Sequence, residues 1–478
     1  MTFVVRLLWF VGLFVVPGGI DLVDSEAALL QQRKAFLQAE HYIQQHRDDD
    51  YHTIAESLKD YALYPYLQYQ WLGEHLQDQS AVLQFLHDHV HTRYASSLHD
   101  KWLKHLGQSR DWVTFLRHYK PAEDQTLQCY WVLAVLQQNQ RILAEPKARE
   151  LWLSAQSLPD ACETAFFELF HEDRELLWQR FRNALLRDNQ ALIDALVSHF
   201  DDTERRRAES WLAVHRQPKM VAAAADWKHQ DAEAGILFAH AIQRWLDDSP
   251  LEALKVWDDE QAGFILAPER RAEVEKALAL ALAVRHAPNA YDRLAALTIK
   301  DDVSREWRVR AALLLQDWDK VLAAIEDLAP AQRQQDKWRY WQARALAATN
   351  QAQTAHSVFA QVAKERSLYG FLAADRVGAA IDWRDKPLLI DTHDLARLQA
   401  RDEFQAFAEL KALQRITEAK RQWRHAINHL PANELPLAAK LAQYWQAPAL
   451  AISTIAKAGL WDDLDLRYPL HHLDAVER

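Results

Sequence analysis

Only ten of the 478 residues are glycine, about 2% where a globular chain carries about 7%. Tight β-hairpins and phosphate-cradling loops draw on glycine for backbone at positive φ. A chain this poor in it is expected to use few such turns and to be neither sheet-rich nor built on a Gly-rich nucleotide loop. Apolar residues make up 49% of the chain, enough for a sizeable core and too many for disorder. The length allows two to four domain-sized units.

Beyond residue 25 the apolar residues recur at helical spacing. Trp307, Ala311, Leu314 and Leu315 fall at i, i+4, i+7 and i+8, and after a polar turn at Gln316, Asp317 and Asp319 a second stripe follows at Val321, Ala324, Ile325 and Leu328 before Pro330. Leu177, Phe181, Ala184 and Leu185, a turn at Arg187 to Gln190, then Leu192, Ala195 and Leu196 repeat the form. Two hairpins share residues, Tyr130-Trp131 with Asn139-Gln140 and Tyr340-Trp341 with Asn350-Gln351. Amphipathic hairpins that cannot bury their faces alone stack on one another, so the pattern predicts an all-α solenoid of helical hairpins. Breaks fall at 158–160, 246–250, 258–260 and 382–391, the last with a short extended segment and the best place for a domain boundary.

The net charge of −11 and the lack of a basic run argue against nucleic acid. The 19 tryptophans are read first as core and second as platforms for stacking on sugar rings. Arg6, the apolar run Leu7 to Val16 and Pro17-Gly18-Gly19 have the form of a secretory signal, too short to span a membrane as a helix. No cysteine lies near for a lipid anchor, so export as a soluble protein with cleavage between about Ile20 and Ala28 is expected. In an oxidising compartment Cys129 and Cys162, the only cysteines, read as one disulfide, with two free buried thiols as the alternative.

No cofactor or metal is expected. His87 and His91 in LHDHVH would share a helix face at i, i+4, yet no third ligand is evident and a solvated face is the better reading. Asp48-Asp49-Asp50 and Asp258-Asp259-Glu260 lack the spacing of a calcium loop and read as turn caps. No catalytic signature of nucleophile, redox or nucleotide chemistry occurs, and among 67 acidic residues no glycosidase pair stands out.

Six segments carry a resemblance: Leu58 to Leu72, Lys147 to Cys162, Trp307 to Asp319, Lys337 to Leu346, Leu368 to Gly378 and Ala458 to Leu470. They resemble, in order, the soluble lytic murein transglycosylases. The resemblance implies a right-handed superhelical U-shaped domain over 26–383 after a signal peptide at 1–25, and a small helical linker domain at 388–470 that closes it into a ring. It also implies a Cys129–Cys162 disulfide, a periplasmic monomer without a membrane anchor, and a peptidoglycan glycan strand as partner. Family members continue into a lysozyme-like catalytic domain, with a Glu-Ser pair and a GAxGLMQ loop, that cleaves between N-acetylmuramic acid and N-acetylglucosamine with a 1,6-anhydro product. Here 471–478 would be only its start. The methionines are Met1 and Met220, so the loop is absent, and Glu56-Ser57 and Glu209-Ser210 lie in repeat sequence. The expectation is a scaffold with no catalytic residue of its own, served by a catalytic domain in cis in the family. A periplasmic helical-repeat interaction module and an α/α toroid carbohydrate enzyme are the alternatives.

Overall fold

A computed structural model of the chain describes residues 19–223, 231–381 and 383–469. The apolar run at 7–16 and the final segment 471–478 lie outside them. Among the described residues no strand occurs. The helices are α1 (Gly19–Gln44), α2 (Asp48–Glu56), α3 (Tyr64–Leu72), α4 (Gln79–Asp88), α5 (Arg93–Gln108), α6 (Trp112–His118), α7 (Gln125–Gln137), α8 (Arg141–Trp152), α9 (Asp160–Phe170), α10 (Arg174–Leu186), α11 (Gln190–Val197) and α12 (Asp202–Arg216). Then come α13 (Ala232–Trp245), α14 (Pro250–Glu260), α15 (Pro268–Val284), α16 (Ala290–Ala295), α17 (Asp302–Leu315), α18 (Trp318–Glu326), α19 (Pro330–Arg333), α20 (Asp336–Ala348), α21 (Ala352–Val362) and α22 (Leu368–Val377). The last are α23 (Thr392–Gln399), α24 (Asp402–Ala412), α25 (Ile416–His429), α26 (Leu435–Tyr444), α27 (Pro448–Lys457) and α28 (Leu464–Arg467). Helices pack on the next and the next but one, as α5 does on α6 and α7, α13 on α14 and α15, and α20 on α21 and α22. That is the stacking expected of hairpins that share their apolar faces.

Scarce glycine goes with the absence of strands among the described residues, but it does not mean scarce left-handed backbone. His46, Arg110, Asn139, Asp188, His286, Gln316, Asn350, Gln414 and Gln446 all sit in the left-handed region, with φ between 51° and 61°. After each, the next N–H bonds a carbonyl five residues back, as Asp111 does to Leu106 (2.9 Å), Asn189 to Ala184 (3.0 Å) and Asp317 to Ala312 (3.3 Å). These bonds define the Schellman helix end, which satisfies carbonyls left open by the last turn. Asp111, Asn189 and Asp317 then cap the following helix, accepting from the backbone N–H of Thr114, Leu192 and Lys320. A left-handed residue and a cap thus join two helices with almost no loop. The recurring Asn139-Gln140 and Asn350-Gln351 share the left-handed residue and its five-residue bond, though Gln351 adds no side-chain cap.

Other details of the sequence pattern shift. Of the stripe read from sequence Ala311 is buried but Leu314 and Leu315 are exposed, and α17 buries Val309 and Ala312 as well. The two leucines fall in the last turn of α17, at the hairpin end. In α11 the buried residue beside Leu192 and Leu196 is Ile193, and Ala195 is exposed. Pro330 opens α19 as its first residue. Val321, Ala324, Ile325 and Leu328 are all buried, as are Leu177, Phe181, Ala184 and Leu185.

The described residues fall into two compact units, one within Met1–Leu151, Leu158–Phe166 and Asp385–Arg478, the other within Trp152–Ser157 and Phe167–Arg384. In the first unit the two ends of the chain share one core. Phe36, Tyr61, Leu63 and Leu67 from the beginning belong to the same buried cluster as Phe404, Phe407, Leu410, Trp423 and Ile455 from the end. Each such side chain contributes roughly 1.5–3 kcal/mol on burial. The second unit is held by side chains such as Trp178, Phe181, Trp211, Phe238 and Trp257, all buried.

Candidate functional site

Where the chain's ends meet in the first unit, charged groups lie beneath the surface. Glu409 of α24 is 3% exposed and takes two hydrogen bonds from Arg33 of α1, each 2.8 Å, and one from the Tyr61 hydroxyl at 2.7 Å. Burial, then the Glu409 carboxylate, raise the Tyr61 phenol above its ordinary range. Glu40 of α1 pairs with Arg415, which precedes α25, and accepts from Gln70 at 2.8 Å. Arg93 of α5 pairs with Glu418 of α25. Paired in this way, the buried charges avoid the penalty of an isolated ion.

The second unit holds a cavity of about 730 Å³ lined by Asp188, His215, Arg216, Lys219 and Arg244 among others. Asp188 is the left-handed residue of the α10–α11 turn, and that conformation turns its side chain toward α12 and α13. Its carboxylate accepts from His215 Nε2 at 2.7 Å and from Arg244 at 3.1 Å. The hydrogen bond from His215, then the Arg244 charge, hold it below the usual carboxylate range. His215 Nδ1 lies 3.0 Å from His240 Nε2, and both rings are 8% exposed. Burial, followed by the charges of His215, Arg244 and Arg270, pushes His240 down to about 4. A second cavity of about 730 Å³ is lined by Leu266, Arg271, Glu275 and Arg293. There Glu275 accepts from Trp257 Nε1 at 2.6 Å and pairs with Arg293. Asp188 and Glu275 are thus each engaged by an arginine at their cavity.

The residues singled out by sequence are scattered. Cys129 of α7 and Cys162 of α9 stand in bonding position, both fully buried with Cα atoms 6.2 Å apart, within the range a disulfide spans. Glu56 ends α2 with its side chain 70% exposed beside Lys59. Glu209 is exposed on α12. His87 and His91 do not share a helix face, because α4 ends at Asp88. His87 is in solvent beside Asp88, His89 bonds Gln68 at 2.8 Å, and the His91 carbonyl meets His425. Among the described residues no group of three or more His, Cys, Asp or Glu is placed to hold a metal. Asp48, Asp49 and Asp50 form the first turn of α2, where they complement the helix dipole. Asp258 to Glu260 do not cap a turn but end α14, and Arg293 offsets Asp258 at 2.9 Å. Trp102, Trp152, Trp178, Trp211, Trp245, Trp257, Trp338 and Trp423 are buried, while Trp383 and Trp461 are exposed.

Sequence reasoning missed Asp188, His215 and His240. They sit 27 and 25 residues apart, one on each successive hairpin, and no local spacing marks them. Their signal is positional: a turn residue and two helix residues brought level by the stacking.

The fold defines the chain as an all-α protein of stacked helical hairpins, and comparison with known proteins narrows the class. The soluble lytic murein transglycosylase L domain matches residues 397–464. The soluble lytic murein transglycosylase of Escherichia coli (strain K12) is 25% identical over 480 residues, covering 96% of this chain and 72% of its own length. Among solved structures, an inactive mutant of lytic transglycosylase Slt from Pseudomonas aeruginosa superposes with a TM-score of 0.84 at 27% identity over 93% of this chain and 74% of that one. The 70 kDa soluble lytic transglycosylase of Escherichia coli has the same fold, with a TM-score of 0.75 at 22% identity over 94% of this chain and 74% of that one. The chain is thus similar over most of its length to soluble lytic murein transglycosylases, in sequence and in fold. Among the described residues no helix is long and apolar enough to cross a membrane.

Proposed function

We propose that residues 26–470 are the non-catalytic scaffold of a periplasmic soluble lytic murein transglycosylase, a superhelical domain over 26–383 closed into a ring by the linker domain at 388–470. In this reading the scaffold binds the glycan strand of peptidoglycan and holds a catalytic domain of the family type against it. The observation that carries the proposal is a similarity that runs in order through almost the whole chain, in sequence and in fold alike. The first and last helices share one buried core, which supports a linker segment packed on the start of the chain. The exposed positions of Glu56 and Glu209 support assigning catalysis elsewhere, because a general acid works from a cleft within reach of the glycosidic oxygen. Residues 1–25 are read as the export signal and Cys129–Cys162 as a disulfide formed after export.

Incubating the purified protein with murein sacculi tests the proposal. The expected result is sedimentation with the sacculi, no 1,6-anhydromuropeptides, and cleavage once a family catalytic domain is fused after Arg478. Release of anhydromuropeptides by the unfused protein, lost in Glu56→Gln or Glu209→Gln, would place catalysis in the repeat. Alkylation of the exported form in denaturant without reductant should label neither cysteine, whereas free thiols would both react.

A further inference from the structure

We propose that Asp188, His215 and His240 form a proton-operated clasp that holds α12 against α13 at the cavity wall and opens on acidification. The argument is a count of protons. Asp188 is held ionised, so its contact with His215 Nε2 at 2.7 Å requires a proton on that nitrogen. His215 Nδ1 and His240 Nε2, 3.0 Å apart, must then share one proton, since two lone pairs or two N–H groups facing each other make no bond. The pair satisfies this rule when both rings are neutral, with His240 donating, and again when it holds one extra proton. A second extra proton places two N–H groups nose to nose on two cationic rings, and the bond between α12 and α13 is lost.

The surroundings sharpen the effect. Facing the pair are Arg244 on α13 itself, Arg270 of α15 and Asp188 of the α10–α11 turn. On the short helix Pro218–Ala223, Lys219 is paired with Asp248 and, on α14, Glu252. Glu233 at the start of α13 is occupied by Trp211 of α12 and Arg182 of α10. Asp188 is thus the carboxylate in contact with the pair, and it already serves His215 and Arg244. The Trp211 ring, 5.3 Å from His240, adds bulk but no charge.

The linkage sign follows from His240, whose folded value of about 4 lies below the ordinary 6.5. The clasp's contribution is complete above about pH 6.5, declines as the pH falls, and is lost through about pH 4. If opening exposes His240 to water, the local opening constant rises by about 100-fold between pH 7 and pH 4.

Hydrogen exchange of the full chain, corrected for intrinsic rates at each pH, reads this directly. Amides of α12 and α13 should lose protection by tens to hundreds of fold between pH 7 and pH 4, while α20 and α21 of the same unit change little. His240→Gln keeps a hydrogen-bonding side chain without a titrating one and should flatten the response. Equal losses in both proteins would overturn the proposal. Ring-nitrogen NMR of the wild type gives a second reading that needs no variant: His240 should take up its proton well below the ordinary 6.5. Titration of His240 near 6.5 would equally sink the clasp.

Discussion

At the residue scale the unusual feature is the left-handed conformation filled by side chains other than glycine. A Cβ there costs roughly 1–2 kcal/mol, offset by the two backbone bonds of the Schellman end. Glycine would escape the steric cost but surrender about 0.5–1 kcal/mol of chain entropy. The balance is small, and the sequence leans toward residues that keep the unfolded chain stiffer. Gln316, exposed and at φ 54°, isolates this balance, since α17 ends there with its N–H bonded to Ala312 and Leu313 carbonyls. Gln316→Gly should raise stability by about 0.5–1 kcal/mol and Gln316→Val should lower it by at least as much. Urea midpoints of the two variants check the pair; a loss with glycine would mean that the Gln316 side chain holds the turn.

At the element scale the seam between the chain's ends rests on charges where the surrounding core is apolar. Glu409 has three donors and almost no water, so removing it strands Arg33 and the Tyr61 hydroxyl. Breaking a buried pair costs about 3–5 kcal/mol. Because Arg33 is 26% exposed, Glu409→Ala should fall near the lower end, about 3 kcal/mol. The double variant with Arg33→Ala should cost less than the two singles summed, and a double-mutant cycle in denaturant measures the coupling. None of this seam was legible in sequence. Helical periodicity located Leu177, Phe181, Val321 and Ile325 correctly, because a hairpin's inner face is a local property. It misplaced Leu314 and Leu315, because which flank of a helix is covered depends on its second neighbour. Arg33 and Glu409 are 376 residues apart, and both read as ordinary surface charges until the ends are brought together. The Asp188, His215 and His240 chain was invisible for the same reason. The closeness of Cys129 and Cys162 was open to sequence reasoning, since a chain with two cysteines leaves one pairing to consider.

At the scale of the whole molecule, the first unit takes its beginning and its end from opposite ends of the sequence. Its stability is therefore not a property of the first 151 residues alone. Cutting the chain after Arg384 removes Phe404, Phe407, Leu410 and Trp423 from the cluster that contains Phe36, Tyr61 and Leu67. It also leaves Glu40, Arg33 and Arg93 without Arg415, Glu409 and Glu418. Re-exposing three or four large side chains at roughly 2 kcal/mol each, with charges left unpaired besides, consumes most of a typical margin of about 5–15 kcal/mol. Unit two, built from 152–157 and 167–384, loses none of its own residues. In the fragment ending at Arg384, amides of α1 to α3 should exchange close to the unfolded rate while those of α13 to α22 keep their protection. Adding residues 385–478 in trans should restore the first set if the shared core is what holds it. Full protection of α1 to α3 in the fragment alone would show that the N-terminal helices stand without the segment packed on them, and the contacts across the seam would then be an attachment rather than a foundation.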